Sequence, residues 1–244
     1  MERLFSVKTV PPLPVGGFLK QSFIDYPGYI ASVVFTAGCN FRCGYCHNLE
    51  LVFPELIPKT KPVSPLWIFN YLYDNQSLLD AVVITGGEPT IHATLPDFLQ
   101  KIKSLNLKVK LDTNGTNPDM IRLLIEHKLV DFIAMDVKAP LTLSHYQKIA
   151  GKQVRETDVQ NIRKTVLLLK KSPVKHEFRI TYIQEVHSKT ELAQLTDQLD
   201  DHVVLQRFKT PPKKFHSSGY KEYDAQELLE IKSLSGNFLV ECRF

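Results

Sequence analysis

The chain has 244 residues, 43% hydrophobic and 23% charged, with a formal net charge of +4. This is the composition of an ordinary globular domain, without repeats of fixed period or low-complexity tracts. The charge is mild and the basic residues do not gather, so no nucleic-acid surface is expected. No apolar run approaches the roughly 18 residues of a membrane span. Four cysteines, three of them clustered, argue against a disulfide scaffold and for a reducing, cytoplasmic setting.

Residues 1–17 read as irregular, because Pro11-Pro12-Leu13-Pro14 and Gly16-Gly17 oppose regular structure. Tyr26-Pro27-Gly28 reads as a turn that feeds a first core strand at 30–36, with Asp25 as a turn carboxylate on pattern alone. That strand delivers Thr36-Ala37-Gly38-Cys39-Asn40-Phe41-Arg42-Cys43-Gly44-Tyr45-Cys46-His47-Asn48 onto a loop at its C-terminal end. The spacing is Cys-x3-Cys-x2-Cys. Three thiolates on one short loop can hold three irons of a cubane [4Fe–4S] cluster and leave the fourth iron open to a substrate or cofactor. Other readings compete. Cys43-Gly44-Tyr45-Cys46-His47 has the c-type haem attachment pattern, which leaves Cys39 unexplained, and residues 1–8 lack the apolar core of an export signal. A structural zinc on Cys39, Cys43, Cys46 and His47 is chemically allowed, although zinc ligands usually come as two separated pairs. Buried inert thiols would not be concentrated between a glycine and an asparagine.

Ser64-Pro65 opens a helix bearing Leu66, Ile68, Phe69 and Leu72, with Trp67, Tyr71 and Tyr73 as packing residues. The strand Ala81-Val82-Val83-Ile84-Thr85 runs into Gly86-Gly87-Glu88-Pro89-Thr90. Two glycines let backbone approach a ligand and a carboxylate can take an ammonium group, though a plain βα turn would read the same. A helix near 94–105 precedes the strand 107–111, which ends in Asp112-Thr113-Asn114-Gly115. A helix from Pro118 to about His127 precedes the strand 130–135, which ends in Asp136-Val137-Lys138. Asp112 and Asp136 thus hold equivalent positions on successive strands, suited to a shared cation or polar ligand.

A helix is expected from Glu156 to Lys171, then a strand at 177–183 on which Arg179 points opposite to its apolar neighbours. Ser188-Lys189-Thr190-Glu191 is a capping box for a helix to about Leu199. A sixth strand follows at 203–208, then the basic loop 209–214, read as a solvated linker. Asp224 to Glu227 caps a last helix, and Cys242 in a short terminal strand reads as a small apolar residue. Six βα units with short connections predict a parallel sheet with right-handed crossovers. Every chemically suggestive group lies just after a strand, the face on which α/β barrels build active sites. The expected fold is an α/β partial, open (β/α)6 TIM-like barrel in one domain over 1–244. Residues 1–28 form its N-terminal extension and 209–244 its C-terminal segment.

The Cys39, Cys43, Cys46 spacing, with Tyr45 before the last cysteine, resembles the signature of radical S-adenosylmethionine (SAM) enzymes. In that family SAM chelates the open iron, and its reductive cleavage yields a 5′-deoxyadenosyl radical. Gly86-Gly87-Glu88-Pro89 is similar to the motif that takes the SAM amino group. The resemblance covers most of the chain and narrows to the glycyl-radical-enzyme activating proteins. Phe23-Ile24-Asp25-Tyr26-Pro27-Gly28, Gly38-Cys39-Asn40-Phe41-Arg42-Cys43 and Cys46-His47-Asn48 look like that group's N-terminal block. The resemblance implies that Asp25 contacts the partner's glycine loop.

Further implications follow from the same likeness. Asp112-Thr113-Asn114-Gly115 and Met135-Asp136-Val137-Lys138 are similar to motifs that hold SAM and, through Asp112, Thr113 and Asp136, a monovalent cation. The implied catalytic set is Cys39, Cys43, Cys46 and Lys138. The implied SAM contacts are Tyr45, Gly86, Gly87, Glu88, Pro89, Asp112, Asn114, Asp136 and Arg179. Pyruvate formate-lyase activators carry Asp-Gly-Pro-Gly where this chain has Asp25-Tyr26-Pro27-Gly28, and a histidine near Gln206 or Phe208. The Tyr-Pro-Gly form resembles the anaerobic ribonucleoside-triphosphate reductase activating proteins. The implied partners are a glycyl radical enzyme and a low-potential flavodoxin or ferredoxin. The alternatives are a radical SAM enzyme acting on a small molecule such as a modified-base precursor, and a non-enzymatic metal-binding or electron-transfer protein.

Overall fold

Ala81-Val82-Val83-Ile84 is an unbroken apolar run, and all of its side chains are fully buried. A strand covered on both faces needs such a run, and parallel sheets are built that way. The structure, a computed structural model, describes residues 10–59, 61–210, 220–222, 224–237 and 239–243. Pro211-Pro212-Lys213-Lys214 of the basic loop therefore lie outside the described residues.

The apolar run forms β3 (Ala81–Gly86), paired in parallel with β2 (Ala31–Thr36) and β4 (Lys108–Thr113). An antiparallel β1 (Val15–Ser22) runs along β2. Beyond β5 (Phe132–Asp136) come β6 (Lys175–Tyr182), β7 (Val203–Arg207) and β8 (Val240–Arg243), the last three paired in parallel. Strand order is the chain order, which makes an open, mostly parallel sheet. The helices are α1 (Leu49–Val52), α2 (Pro65–Asp74), α3 (Leu95–Lys103), α4 (Pro118–Glu126), α5 (Leu143–Ala150), α6 (Glu156–Lys170), α7 (Lys189–Leu199) and α8 (Gln226–Leu234). Among the described residues no helix is long and apolar enough to cross a membrane.

The chain divides into two compact units. One runs up to Asn40 and takes Asn48–Thr113 and Asp119–Ile133; the other holds Phe41–His47, Asn114–Pro118 and the chain from Ala134 onward. In the first, Phe69 of α2 and Phe98 of α3 meet at 4.9 Å between ring centroids, both fully buried. In the second, the Ser188–Glu191 capping box opens α7 as its sequence predicts.

Three elements escape the sequence reading: β1, the one-turn α1 and α5. β1 begins in the stretch expected to be irregular, because an edge strand tolerates glycine. The space of the missing Gly17 side chain is bounded by Phe35, whose Cβ would stand 3.4 Å away. α5 lies in a polar stretch, but its ends are marked: Thr142 accepts the His145 N–H, and Gly151 stops the helix at a φ of 105°.

Phe98→Ala is expected to lower stability by about 3–5 kcal/mol, the cost of an unfilled aromatic site in a close-packed core. Denaturant unfolding checks this, and a loss below about 1 kcal/mol would show that the site collapses around the cavity.

Candidate functional site

In the first unit, β2 and β3 end side by side. The Gly87 N–H donates to the Thr36 carbonyl and the Glu88 N–H to the Gly38 carbonyl, both at 2.8 Å. A side chain on Gly87 would overlap the Gly38 carbonyl oxygen, and Gly86 sits at a φ of 109°. The two glycines are therefore required first by the chain's own backbone, which passes where a Cβ would be. The exit of β2 is tied down further by the Gly38 N–H to the Leu51 carbonyl of α1, and by Asn48 Nδ2 to the Gly86 carbonyl at 3.2 Å. Cys39 follows this junction directly.

Glu88 is 1% exposed. Its Oε1 accepts from the Thr90 N–H at 3.1 Å, from Thr90 Oγ1 at 2.5 Å and from Thr113 Oγ1 at 2.7 Å. A buried carboxylate is tolerable with such donors, and these also fix its rotamer. Pro89 starts a short 3-10 turn capped by Glu88. On β4, Lys110 and Asp112 share a face at i, i+2, with Nζ 2.6 Å from Oδ1. Near the start of the unit, Asp25 Oδ2 accepts from Ser22 Oγ at 2.5 Å, in a turn whose Phe23 and Ile24 are exposed.

The second unit contains Cys43, Tyr45 and Cys46. Their loop is pinned to the C-terminal end of α5: the Arg42 N–H donates to the Ala150 carbonyl at 2.7 Å and the Gly44 N–H to the Ile149 carbonyl at 3.3 Å. Orphan helix-terminal carbonyls thereby serve as the loop's acceptors. The Cys46 N–H closes a turn onto the Cys43 carbonyl, and His47 Nε2 meets the Lys209 carbonyl at 2.6 Å. Burial pushes the Cys43 thiol up to about 11 and holds the Tyr45 phenol well above its usual range, with Lys138 opposing both shifts.

Lys138 stands at the centre of this group. Its ammonium lies 5.8 Å from the Tyr45 ring centroid and 3.0 Å from Asp136 Oδ2, and Arg179 Nε donates to Asp136 Oδ1 at 2.8 Å. For Asp136, burial works against ionisation, but Arg179 and Lys138 outweigh it and hold the carboxyl well below the usual range. For Lys138, burial is likewise outweighed, chiefly by Asp136, and the ammonium persists far above neutral pH. The Lys138 backbone is clamped as well: its N–H donates to Tyr146 Oη at 3.2 Å, and its carbonyl accepts from His187 Nε2 at 2.8 Å. His187 Nδ1 accepts from the Ile183 N–H, which fixes the neutral tautomer. Asn114 in this unit folds back on Thr116, its Oδ1 accepting from the Thr116 N–H and Oγ1.

Within the first unit, then, Cys39 follows the junction that carries Glu88, and Thr113 reaches the Glu88 carboxylate. Within the second, Tyr45, Asp136, Lys138 and Arg179 form one contact chain beside Cys43. The residues that sequence reasoning missed are supports: Thr90, Lys110, Tyr146, Ile149, Ala150 and His187. The Thr142 and Gly151 signals of α5 could have revealed three of them. Nothing in the local pattern marks His187, whose role depends on a contact 49 residues away in sequence.

The Radical SAM superfamily profile matches residues 33–192. The chain belongs to the radical SAM superfamily. A protein of Methanocaldococcus jannaschii, provisionally named a glycyl-radical enzyme activating enzyme, is 31% identical over 90% of this chain and 89% of its own length. A 7-carboxy-7-deazaguanine synthase of Methanopyrus kandleri is 29% identical over 43% of this chain and 47% of its own. The crystal structure of a radical SAM methyltransferase from Sphaerobacter thermophilus superposes with a TM-score of 0.65 at 14% identity. That match covers 89% of this chain and 67% of the other.

The family implies a [4Fe–4S] cluster and SAM. The donor set fits a cluster: Cys39, Cys43 and Cys46 are thiols outside any disulfide, on one loop, and thiolates are the donors that iron–sulfur clusters take. Among the described residues no group of three or more His, Cys, Asp or Glu side chains is assembled as a metal site. A sulfonium amino acid needs partners for an ammonium and a carboxylate, and the buried Glu88 and the Lys138–Arg179 pair are of the right sign.

His187 gives this site a pH signature. Burial lowers its imidazole to about 4, while Lys138's carbonyl partly opposes the shift. The unfolded histidine titrates near 6.5, so it binds the extra proton between those values, and stability must fall as pH drops through that window. The loss is on the order of 3 kcal/mol, and His187→Gln should flatten it in denaturant titrations at pH 4 to 6.5. An unchanged slope in the variant would place the titration elsewhere.

Proposed function

We propose that this protein is a radical SAM activase that installs a glycyl radical on a partner enzyme, the anaerobic ribonucleoside-triphosphate reductase. The observation that carries the activase reading is the match to the Methanocaldococcus protein over nine-tenths of both chains. Two deazaguanine synthase matches support a small-molecule substrate instead, but over 43% and 58% of this chain rather than nine-tenths. The choice of reductase rests on Asp25-Tyr26-Pro27-Gly28. Tyr26 is buried, its ring 4.6 Å from that of Tyr29 and 5.7 Å from that of Phe132, so this turn is anchored by an aromatic ring that an Asp-Gly-Pro-Gly turn lacks.

In this reading residues 1–244 act as one domain, and Cys39, Cys43 and Cys46 hold the cluster. Glu88, framed by Gly86, Gly87 and Pro89, receives the SAM ammonium. The backbone around Tyr45 meets the adenine. Asp112, Asn114, Asp136, Lys138 and Arg179 serve the ribose and carboxylate side. The bound cofactors, reduced by a low-potential flavodoxin or ferredoxin, supply hydrogen-atom abstraction from a glycine Cα. The chain's own work is to bind and orient. Thr90 and Thr113 hold and aim the Glu88 carboxylate through three hydrogen bonds. The Asp136–Lys138–Arg179 group carries one net positive charge, suited to an anionic carboxylate. Asp25 is assigned to the partner's glycine loop. Because Ser22 engages its carboxylate, that contact would require Ser22 to release or share it. Thiol ligands on an open loop suit a reducing compartment such as the cytoplasm.

The test is anaerobic. Reconstituted protein, SAM, reductant and the reductase should give a glycyl radical by electron paramagnetic resonance, with one 5′-deoxyadenosine formed per radical. Cys43→Ala should give neither. Turnover with the deazaguanine synthase's substrate, and no radical on any glycyl radical enzyme, would replace this reading with the small-molecule one.

A further inference from the structure

We infer that Lys110 takes the place of a monovalent cation at Asp112, so that this protein carries its own countercharge there and needs no alkali ion. The inference rests on the assignment of Asp112 to the SAM site. Lys110 and Asp112 lie two apart on β4, on one face, and Nζ meets Oδ1 at 2.6 Å. Their side chains are 4% and 14% exposed. Lys110 is opposite Val83 in the β3–β4 register, inside the paired part of the strand and not at a loose end.

A lysine buried to this degree keeps its charge only with a partner, so the ammonium stays on the carboxylate. An alkali ion at the same oxygens would either strip Lys110 of that partner or sit beside a like charge. The other carboxylate that the resemblance assigns to the cation, Asp136, repeats the device with reversed spacing. Lys138, two residues on, and Arg179 both pair with it. A lysine built into the strand is present at every salt composition, which a dissolved ion is not.

The experiment measures SAM affinity of the cluster-loaded protein by equilibrium dialysis in choline, sodium and potassium chloride at equal ionic strength. For the natural protein Kd should agree within about twofold across the salts, a free-energy difference too small to count as a bound ion. Lys110→Met should bind weakly in choline and recover about tenfold or more with sodium or potassium, about 1.4 kcal/mol. Lys110→Arg, which keeps the charge, should stay indifferent to the salt. The inference is overturned if alkali ions tighten the natural protein's binding tenfold. It is also overturned if Lys110→Met binds like the natural protein in choline, or stays weak in every salt. Should Lys110→Met fail to fold by circular dichroism, Lys110→Gln replaces it, and the natural protein and the arginine variant still decide. No SAM binding in any salt is a different result: it removes the site assignment, and this inference with it.

Discussion

The Glu88 N–H to Gly38 carbonyl bond is the constraint on which the first unit's chemistry depends. It brings the residue before Cys39 and the buried carboxylate after β3 into one backbone pair. The bond can form only because Gly87 leaves the Gly38 carbonyl uncovered. Buried parallel strands supply the rest, since β2 and β3 pair through to Thr36 and Gly86 and so end level. Sequence, register and site are linked by that single approach of two backbones. The glycines of Gly86-Gly87-Glu88 are accordingly required by the chain's own backbone.

The second unit solves a different problem, which is to hold cysteines on a loop that has no regular structure of its own. It does so by borrowing the carbonyls of Ile149 and Ala150 at the end of α5. Lys138 then adds a fixed charge. Tyr146 and His187 grip its backbone while Asp136 grips its ammonium, so neither the stem nor the head of the side chain has much freedom. Fixed dipoles and charges that need no rearrangement are what a site requires to act on a charged cofactor. The neutrality of His187 is part of this arrangement: burial keeps the imidazole uncharged, and Nδ1 can then accept from the Ile183 N–H while Nε2 donates to the Lys138 carbonyl.

Much of this was legible in the sequence. The cysteine spacing, the strand-then-motif order and the alternation of apolar runs with capped helices carry both the fold class and the positions of Glu88, Asp112, Asp136 and Arg179. The supports were not legible, for physical reasons. Lys110 reads as an ordinary polar residue of a half-exposed strand, and only the packing above it turns the Lys-x-Asp spacing into a buried pair. His187 and Lys138 meet across 49 residues. β1 and α5 were missed because glycine and polar residues dominate their local pattern, while an edge position and a pair of caps decide their structure.

The most direct measurement is the electron paramagnetic resonance spectrum of the reconstituted, dithionite-reduced protein with and without SAM. If Cys39, Cys43 and Cys46 hold a cluster whose fourth iron is open, the reduced signal changes on adding SAM. In Glu88→Gln the change should need a higher SAM concentration, while cluster content stays the same. A reduced cluster whose spectrum is indifferent to SAM at millimolar concentration would contradict the account and mark the centre as an electron carrier.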